Sequence, residues 1–327
     1  MEFTTLGRTG LKVSVAGLGC GGGSRLGQGQ DKSEAHSVRL VRQALDLGVN
    51  FLDTAASYGT EAIVGKAIKE LDRTSVIVST KHHVIGKGHV FTPEEITAAI
   101  DKSLAEMNTD YVDIFYLHGV ATKYHEHVRD NLMPALEKVR DSGKVRFLGI
   151  SELAYDDHDH DLLGKSLDDD LFDVVMLAFN MMNQNARTAV FPKTQALNVG
   201  TTIMFAVRSI FSVPGRLAAD IKKLIEAGEL PDSLGATDKP LDFLVHEDGA
   251  ESIMDAAYRY VRHDPGADVI LFGTGSPEHL ETNLASILRP PLPDSDVAKI
   301  HDLFHHLKGV GVDFPAGRED LMKRLHG

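Results

Sequence analysis

Eight short apolar segments, each followed by a helix-forming segment, recur along most of this chain. They are rich in β-branched residues, as is typical of strands buried on both faces of a sheet. They occupy residues 15–19, 50–53, 76–81, 112–118, 147–151, 174–179, 202–205 and 269–272. A parallel sheet covered by helices explains this alternation, and eight strands allow the sheet to close. The predicted fold is therefore an α/β protein with a (β/α)8 barrel.

Helix signals lie between these strands. Thr92 and Glu95 form a capping box with Pro93 at the first helical position, and Gly48 and Gly143 end two other helices. Helices are predicted at residues 33–47, 92–107, 132–141, 162–167, 186–197, 251–262 and 294–307. At 327 residues with 43% hydrophobic content, the whole chain, residues 1–327, is predicted to form one domain.

Two segments lie outside the repeated unit. Residues 3–13 alternate around a turn at Gly7 to Gly10, which predicts a β-hairpin ahead of the barrel. Residues 214–249 form an insertion after the seventh strand. Loops on that face build binding walls, so the insertion either covers a ligand or shapes its entry, or it is a surface decoration.

Charge and cysteine content limit the partners. The formal net charge is −13 without a basic run, so nucleic acid and anionic membranes are not expected partners. Cys20 is the one cysteine, and no apolar run of spanning length or signal peptide is evident. A cytoplasmic location is predicted, whereas the oligomeric state is not.

Ionisable residues stand at the ends of three consecutive strands. Asp53 ends the second strand, with Tyr58 on the loop after it, while Lys81 and His118 end the third and fourth. Barrel enzymes carry their chemistry at these strand ends. Taken alone, Asp53 and Tyr58 would also fit a helix cap and a residue that covers a loop.

Four motifs in this order resemble the aldo-keto reductase family over nearly the whole chain. They are Phe51-Leu52-Asp53-Thr54-Ala55 with Tyr58-Gly59, Ser79-Thr80-Lys81, Leu117-His118, and the segment GKVRFLGIS at 143–151. The resemblance implies NAD(P)H-dependent reduction of an aldehyde or ketone, or the reverse reaction on a sugar-like alcohol. It also implies that the hairpin plugs the barrel and that residues 309–327 contact substrate.

The resemblance assigns a role to each of the four ionisable residues. Carbonyl reduction leaves negative charge on oxygen, so a proton donor is needed, and Tyr58 is the predicted donor. A phenol has an ordinary pKa of about 10, which the ammonium of Lys81 would lower. Asp53 would hold Lys81, and His118 would orient the carbonyl. The alternative is an Asp53–Lys81 ion pair beside two ordinary polar residues.

A site for NADP(H), with NAD(H) as the alternative, is implied at the same rim. The predicted cofactor-binding residues are Gly19, Cys20, Gly21, Asp53, Ser151, Glu152, Met176, Phe205, Gly273, Thr274, Gly275, His279 and Asn283. Ser276 and Pro277 begin a helix whose N-terminus can meet a phosphate. Alternatively, the glycine run after Cys20 is a flexible turn, Cys20 is simply small, and Phe205 is a core residue.

Four residues depart from the family pattern. Gly273 and His279 stand where two cations usually bind the 2′-phosphate, and Glu152 and Met176 replace an Asn and a Gln at the nicotinamide end. These departures weaken the NADP prediction. Glu152 and Met176 also favour a second hypothesis, a nicotinamide-binding regulatory or channel-associated subunit, whereas Tyr58 and Lys81 favour the enzyme.

A run of acidic residues and histidines follows the fifth strand. Residues 155–161 read YDDHDHD, but adjacent side chains do not converge on one point as metal ligands must. A solvated acidic loop is predicted, without a metal site.

Overall fold

The structure, a computed structural model, describes residues 1–312. The predicted substrate-contacting tail therefore lies outside the described residues from position 313 onward. The strands are β1 (Phe3–Thr5), β2 (Lys12–Ser14), β3 (Ala16–Gly19), β4 (Phe51–Asp53), β5 (Ile77–His83), β6 (Ile85–Gly86), β7 (His89–Val90), β8 (Val112–Val120), β9 (Val145–Glu152), β10 (Val174–Ala178), β11 (Gly200–Met204) and β12 (Val269–Phe272).

Helices connect the barrel strands. They are α1 (Glu34–Asp46), α2 (Glu61–Ile68), α3 (Pro93–Met107), α4 (His125–His127), α5 (Met133–Asp141), α6 (Asp161–Asp168), α7 (Ala186–Ala189), α8 (Phe191–Leu197), α9 (Ser209–Ser212), α10 (Arg216–Glu226), α11 (Ile253–Arg262), α12 (Pro277–Ile287) and α13 (Asp294–Phe304). The capping box at Thr92 and Glu95 is present at the start of α3. No helix within residues 1–312 combines the length and apolar character needed to cross a bilayer.

Eight parallel strands close into a barrel, which confirms the predicted fold. Around the barrel they follow chain order, β3-β4-β5-β8-β9-β10-β11-β12, and β12 pairs with β3. The register places Gly19, Asp53 and Ser79 side by side on neighbouring strands. All strands run the same way, so their carboxyl ends share one rim of the barrel.

The apolar core has two layers. One lies between the strands and the helices, where Leu40, Ile100 and Leu136 contribute from three helices. The other fills the barrel interior with residues from five of the strands, namely Phe51, Ile77, Ile114, Tyr116, Val174, Met176 and Val269. The barrel is therefore a packed body whose open space lies at its rim.

The N-terminal hairpin closes the opposite end, as predicted. β1 and β2 pair antiparallel, and Leu6, Leu11 and Val13 pack against the interior residues. Gly7 has a φ of +45°, and a Cβ there would lie 2.2 Å from the backbone nitrogen of Gly200. Only glycine permits so close an approach of the turn to β11.

Two predicted segments differ in the structure. The helix predicted at 186–197 is split into α7 and α8, because Pro192 stands in the first turn of α8 and has no N–H to continue the preceding helix. The insertion contains α10 and buries Leu230, Leu234, Leu241 and Leu244.

Candidate active site

A cavity of about 470 Å³ opens at the carboxyl rim of the barrel. Ten of the predicted site residues line it, namely Gly19, Gly21, Asp53, Tyr58, His118, Ser151, Glu152, Met176, Phe205 and Gly273. Cys20, Lys81, Thr274, Gly275, His279 and Asn283 are not among its lining residues. Cavities of this size hold small ligands.

Lys81 and Asp53 form a buried ion pair beside the cavity. Lys81 Nζ lies 2.5 Å from Asp53 Oδ1 and donates also to the carbonyl oxygen of Thr54 at 2.9 Å. Ser79 Oγ donates to the same Asp53 oxygen at 2.8 Å. Because burying two charges is favourable only when hydrogen bonds surround them, these contacts hold the ammonium in one place.

Tyr58 lies over this pair, on the short helical turn after β4. Its hydroxyl is 3.4 Å from His118 Nε2, and Lys81 Nζ is 5.3 Å from the centre of its ring. The Tyr58 and His118 rings meet edge to face with centres 5.5 Å apart. The four predicted catalytic residues therefore lie together, with Asp53, Tyr58 and His118 on the cavity wall and Lys81 buried beside them.

His118 is held in its neutral form. Burial and the positive charges of His83, Lys81 and His82 place the pKa of His118 well below its ordinary value. Among the described residues, its buried Nδ1 has no hydrogen-bond partner. A bare lone pair there costs less than an N–H without an acceptor, so the tautomer with hydrogen on Nε2 is favoured. That hydrogen points towards the Tyr58 hydroxyl.

Among the polar cavity residues outside the predicted site are His83, Tyr155 and Arg208. His83 follows Lys81 by two positions on β5, so its place at a strand end was the available signal. Tyr155 and Arg208 lie on loops, where sequence alone does not show which side chains turn towards the cavity.

The glycine loop after β3 has two structural roles. A Cβ at Gly21 would lie 2.4 Å from the Tyr58 ring, whereas one at Gly22 or Gly23 would meet nothing within 4 Å. Gly21 therefore makes room for Tyr58, and the other two glycines face the cavity. Cys20 is buried in the apolar core, where burial raises the pKa of its thiol, in keeping with its interpretation as a small residue.

Both carboxylate oxygens of Glu152 already have hydrogen-bond partners within the protein. Ala178 N donates to one at 2.8 Å, and His160 Nδ1 lies 2.6 Å from the other. The predicted hydrogen bond from a nicotinamide carboxamide would compete with these contacts. Ser151 Oγ, which accepts from Gly119 N at 2.8 Å, keeps a hydroxyl hydrogen to donate.

The prediction that residues 155–161 form a solvated acidic loop is only partly correct. His160 is buried against Glu152, and Asp157 is buried where it accepts hydrogen bonds from the backbone of Asp161 and Leu162 at the start of α6. Within residues 1–312, no three His, Cys, Asp or Glu side chains are grouped as metal ligands would be.

Phe205 lines the cavity and also packs against the small buried cluster of Ala154, Ala178 and Val312. Its φ of +67° is unusual for a residue with a bulky side chain, and its ring lies 4.2 Å from the Arg208 guanidinium. Strained backbone of this kind occurs at ligand sites, where the surroundings hold one side-chain direction. A flat ring on the wall suits stacking on another flat ring.

The helix after β12 presents the other predicted cofactor residues. Ser276 caps α12 by accepting from His279 N at 3.4 Å, and the His279 side chain is exposed. Arg289 is engaged with Glu251 and Asp255. Arg208 is the one Lys or Arg among the described residues that line the cavity.

None of residues 214–249 lines the cavity, so the insertion does not cover the cavity.

The residues present fit a nicotinamide cofactor in part. The Phe205 ring and the Ser151 hydroxyl provide a stacking surface and a donor, and the Gly22 to Gly23 backbone leaves open space. Glu152 and Met176 provide less for a carboxamide than a paired donor and acceptor would. The contacts available to a nicotinamide are therefore mainly stacking on the Phe205 ring and a hydrogen bond from the Ser151 hydroxyl.

Residues 18–304 match the model of the Aldo/keto reductase family. This chain belongs to that family. L-galactose dehydrogenase of Arabidopsis thaliana is 38% identical over 162 residues, which are 48% of this family member and 50% of the plant protein. Aldo-keto reductase YhdN of Bacillus subtilis is 27% identical, with 98% of this chain and 100% of that protein covered.

Solved structures show the same fold. The holo form of aldo-keto reductase AKR11C1 from Bacillus halodurans superposes with a TM-score of 0.71 at 22% identity, covering 93% of this chain and 96% of that one. An aldo/keto reductase from Klebsiella pneumoniae, in complex with NADP and acetate, gives 0.65 at 23% identity, covering 92% and 95%.

Proposed function

We propose that this family member is an NAD(P)H-dependent oxidoreductase that interconverts a small carbonyl compound and its alcohol, with Tyr58 as general acid and base. The observation that carries the proposal is the convergence of Tyr58, His118 and the Lys81–Asp53 pair on one cavity. The bound cofactor supplies or accepts the hydride.

The chain's own residues manage the charge on the substrate oxygen. The oxygen gains negative charge as the carbonyl is reduced, and the Tyr58 hydroxyl donates its proton to it. The Lys81 ammonium favours the phenolate left behind, while Asp53 keeps that ammonium in place. His118, neutral with a hydrogen on Nε2, donates a second hydrogen bond to the oxygen. In the reverse direction, the same groups accept the proton from an alcohol.

The polar cavity wall supports a hydroxylated substrate. Ser57, Tyr155 and Ser212 bring hydroxyls to the wall, and His83 and Arg208 bring ring nitrogens and a guanidinium. The name of the plant relative, L-galactose dehydrogenase, supports a sugar-like alcohol. A cytoplasmic location and a lack of nucleic-acid or membrane partners stay predictions from composition.

The decisive experiment is a single turnover with Tyr58→Phe. Protein loaded with NADPH is mixed with a reactive aldehyde and the nicotinamide absorbance is followed. We expect the rate to fall by about a hundredfold or more, with the NADPH dissociation constant within about twofold of the parent's, because the hydroxyl acts only as charge develops.

Tyr124→Phe is the matched control, since it removes the same hydroxyl from a tyrosine that is not among the cavity's lining residues. It should keep the rate within about threefold of the parent's. A parent-like rate for Tyr58→Phe would remove Tyr58 from its role. Tight NADPH binding without any turnover in the parent would instead support the regulatory-subunit hypothesis, which the occupied Glu152 oxygens favour.

The dinucleotide preference is expected to be modest. Gly273 has no side chain and position 279 holds a histidine in place of a Lys or Arg, so a 2′-phosphate lacks the two fixed cations common in the family. We expect His279→Arg to raise the preference for NADPH over NADH by roughly tenfold, the size of one charged hydrogen bond.

Dissociation constants for both dinucleotides, measured by fluorescence titration, provide the test. Glu278→Arg is the matched control, because it adds the same charge at the adjacent exposed position of α12. An equal increase in both variants would mean that general charge, and not a specific contact, acts on the phosphate. A large and pH-independent NADPH preference in the parent would contradict the prediction and direct attention to Arg208.

A further inference from the structure

A second histidine packs directly against His118 in the cavity. The rings of His83 and His118 stack with centres 4.2 Å apart and planes 12° from parallel. His83 Nδ1 lies 3.0 Å from the backbone carbonyl oxygen of His118. A carbonyl oxygen only accepts, so Nδ1 of His83 carries a hydrogen. Stacking and hydrogen bonding together hold the two rings in one arrangement.

The charged and titratable groups around His118 come from three neighbouring strands. β5 brings Lys81, His82 and His83 near the ring, β4 and its loop bring Asp53 and Tyr58, and β9 brings Glu152. The two carboxylates are each paired, Asp53 with Lys81 and Glu152 with His160. Neither carboxylate is therefore an unpaired anion that would favour the charged form of His118.

We propose that His83 is a positioning residue for the reaction, fixing the plane of the His118 imidazole and taking up the first proton of the stacked pair so that His118 stays neutral. The consequence of this arrangement rests on the proposed function: the hydrogen on His118 Nε2, beside the Tyr58 hydroxyl, is available to a substrate oxygen bound between them.

Two observations decide which ring takes the first proton. Rings this close do not both become charged without mutual repulsion, so they titrate as a coupled pair. A proton on His118 would place an N–H at Nδ1, which has no acceptor among the described residues. His83 keeps its Nδ1 hydrogen on the His118 carbonyl oxygen and would take the added proton on Nε2, so protonating His83 avoids the N–H without an acceptor at His118 Nδ1.

The test is a histidine titration by NMR on the full chain without cofactor or substrate, using carbon-13-labelled histidine between about pH 5 and about pH 9. His118→Gln assigns the His118 signal. We expect His118 in the parent to resist titration, and His83→Phe, which keeps an aromatic ring but no charge, to move its titration to higher pH. His83→Gln, which keeps a polar group, should do the same.

His82→Phe is the matched control, because His82 is the neighbouring histidine of the same strand and its ring faces Phe91. It should shift the His118 titration less than His83→Phe does. A His118 titration curve that superimposes in the parent, His83→Phe and His83→Gln would overturn the proposal. So would an equal shift in His82→Phe.

A kinetic measurement completes the test. As pH is lowered from the plateau of kcat/KM to about pH 6, kcat/KM of His83→Phe should fall about threefold further than kcat/KM of the parent. The reason is that His118 of the variant becomes charged within this pH range. An unchanged pH profile beside a shifted NMR titration would overturn the role in the reaction. The NMR result needs no turnover, so a protein without activity but with the shift would reject the proposed function and leave the coupling intact.

Discussion

At the scale of single residues, Tyr58 keeps its position because its neighbour in the glycine loop has no side chain. The Gly21 backbone lies so close that a Cβ would be 2.4 Å from the ring. Real Cβ atoms do not approach other atoms that closely, so the Tyr58 ring would have to move. Its hydroxyl would then leave His118, which lies 3.4 Å away in the structure.

Gly21→Ala is therefore expected to lower kcat by about tenfold or more at saturating cofactor, because a displacement of about 1 Å is costly for a proton donor. The melting temperature should change little. Gly23→Ala is the matched control, since a Cβ there meets nothing within 4 Å. Equal kcat values for the two variants would show that Tyr58 accommodates the methyl group without losing its position.

At the scale of elements, a buried pair joins the ends of two strands to the loop before α6. Glu152 ends β9, accepts from Ala178 at the end of β10 and contacts His160, which precedes α6. His160 adopts a φ of +59° and contacts Asn185 through its other nitrogen at 3.3 Å. This pair holds the loop whose residues Leu153 to Tyr155 line the cavity.

The pair predicts how stability depends on pH. Burial lowers the pKa of His160, but the Glu152 charge and hydrogen bonds from Glu152 and Asn185 outweigh it, so the pKa is raised. When the pKa of a histidine is higher in the folded state than in the unfolded state, its protonation stabilises the fold. This stabilisation is complete at pH values below the unfolded-state pKa of about 6.5, and it is lost as pH rises through the folded-state pKa.

Denaturant unfolding of Glu152→Gln at about pH 6 and about pH 9 tests this prediction. Removing the charged partner of a buried ion should cost about 3–5 kcal/mol at the lower pH and clearly less at the higher pH. His158→Gln, an exposed position in the same loop, is the control and should cost less than about 0.5 kcal/mol at both. A cost for Glu152→Gln that is equal at both pH values would contradict the assignment.

At the scale of the whole molecule, the two ends of the barrel have different tasks. The carboxyl rim holds polar residues around a cavity, while the amino end is closed by apolar residues of the hairpin. Leu6 is fully buried against the barrel interior. The hairpin therefore stabilises the barrel from the end opposite the cavity.

Leu6→Ala should therefore destabilise the protein by about 2–5 kcal/mol while leaving kcat within about twofold at room temperature. Urea unfolding and steady-state rates are the measurements. Phe3→Ala serves as the control, because Phe3 lies in the same hairpin and is 44% exposed. A large loss of kcat with unchanged stability would mean that the hairpin acts on the rim and not on the core.

The sequence by itself determined the fold and the four catalytic candidates. Strand periodicity, capping residues and ionisable residues at strand ends are local signals, and the barrel brings all strand ends to one rim. That is why Asp53, Tyr58, Lys81 and His118 could be predicted to meet. The split of the helix at Pro192 was also readable in principle, since proline acts locally.

Only the tertiary structure decided which side chains face each other across strands and loops. The His83–His118 stack and the contact of Gly21 with Tyr58 join residues far apart in sequence, and the Glu152–His160 pair joins a strand end to a loop residue eight positions later. His160 looked solvated because charged neighbours surround it in sequence, yet its partner comes from a strand end. Such contacts depend on the direction of each side chain, which neither composition nor spacing specifies.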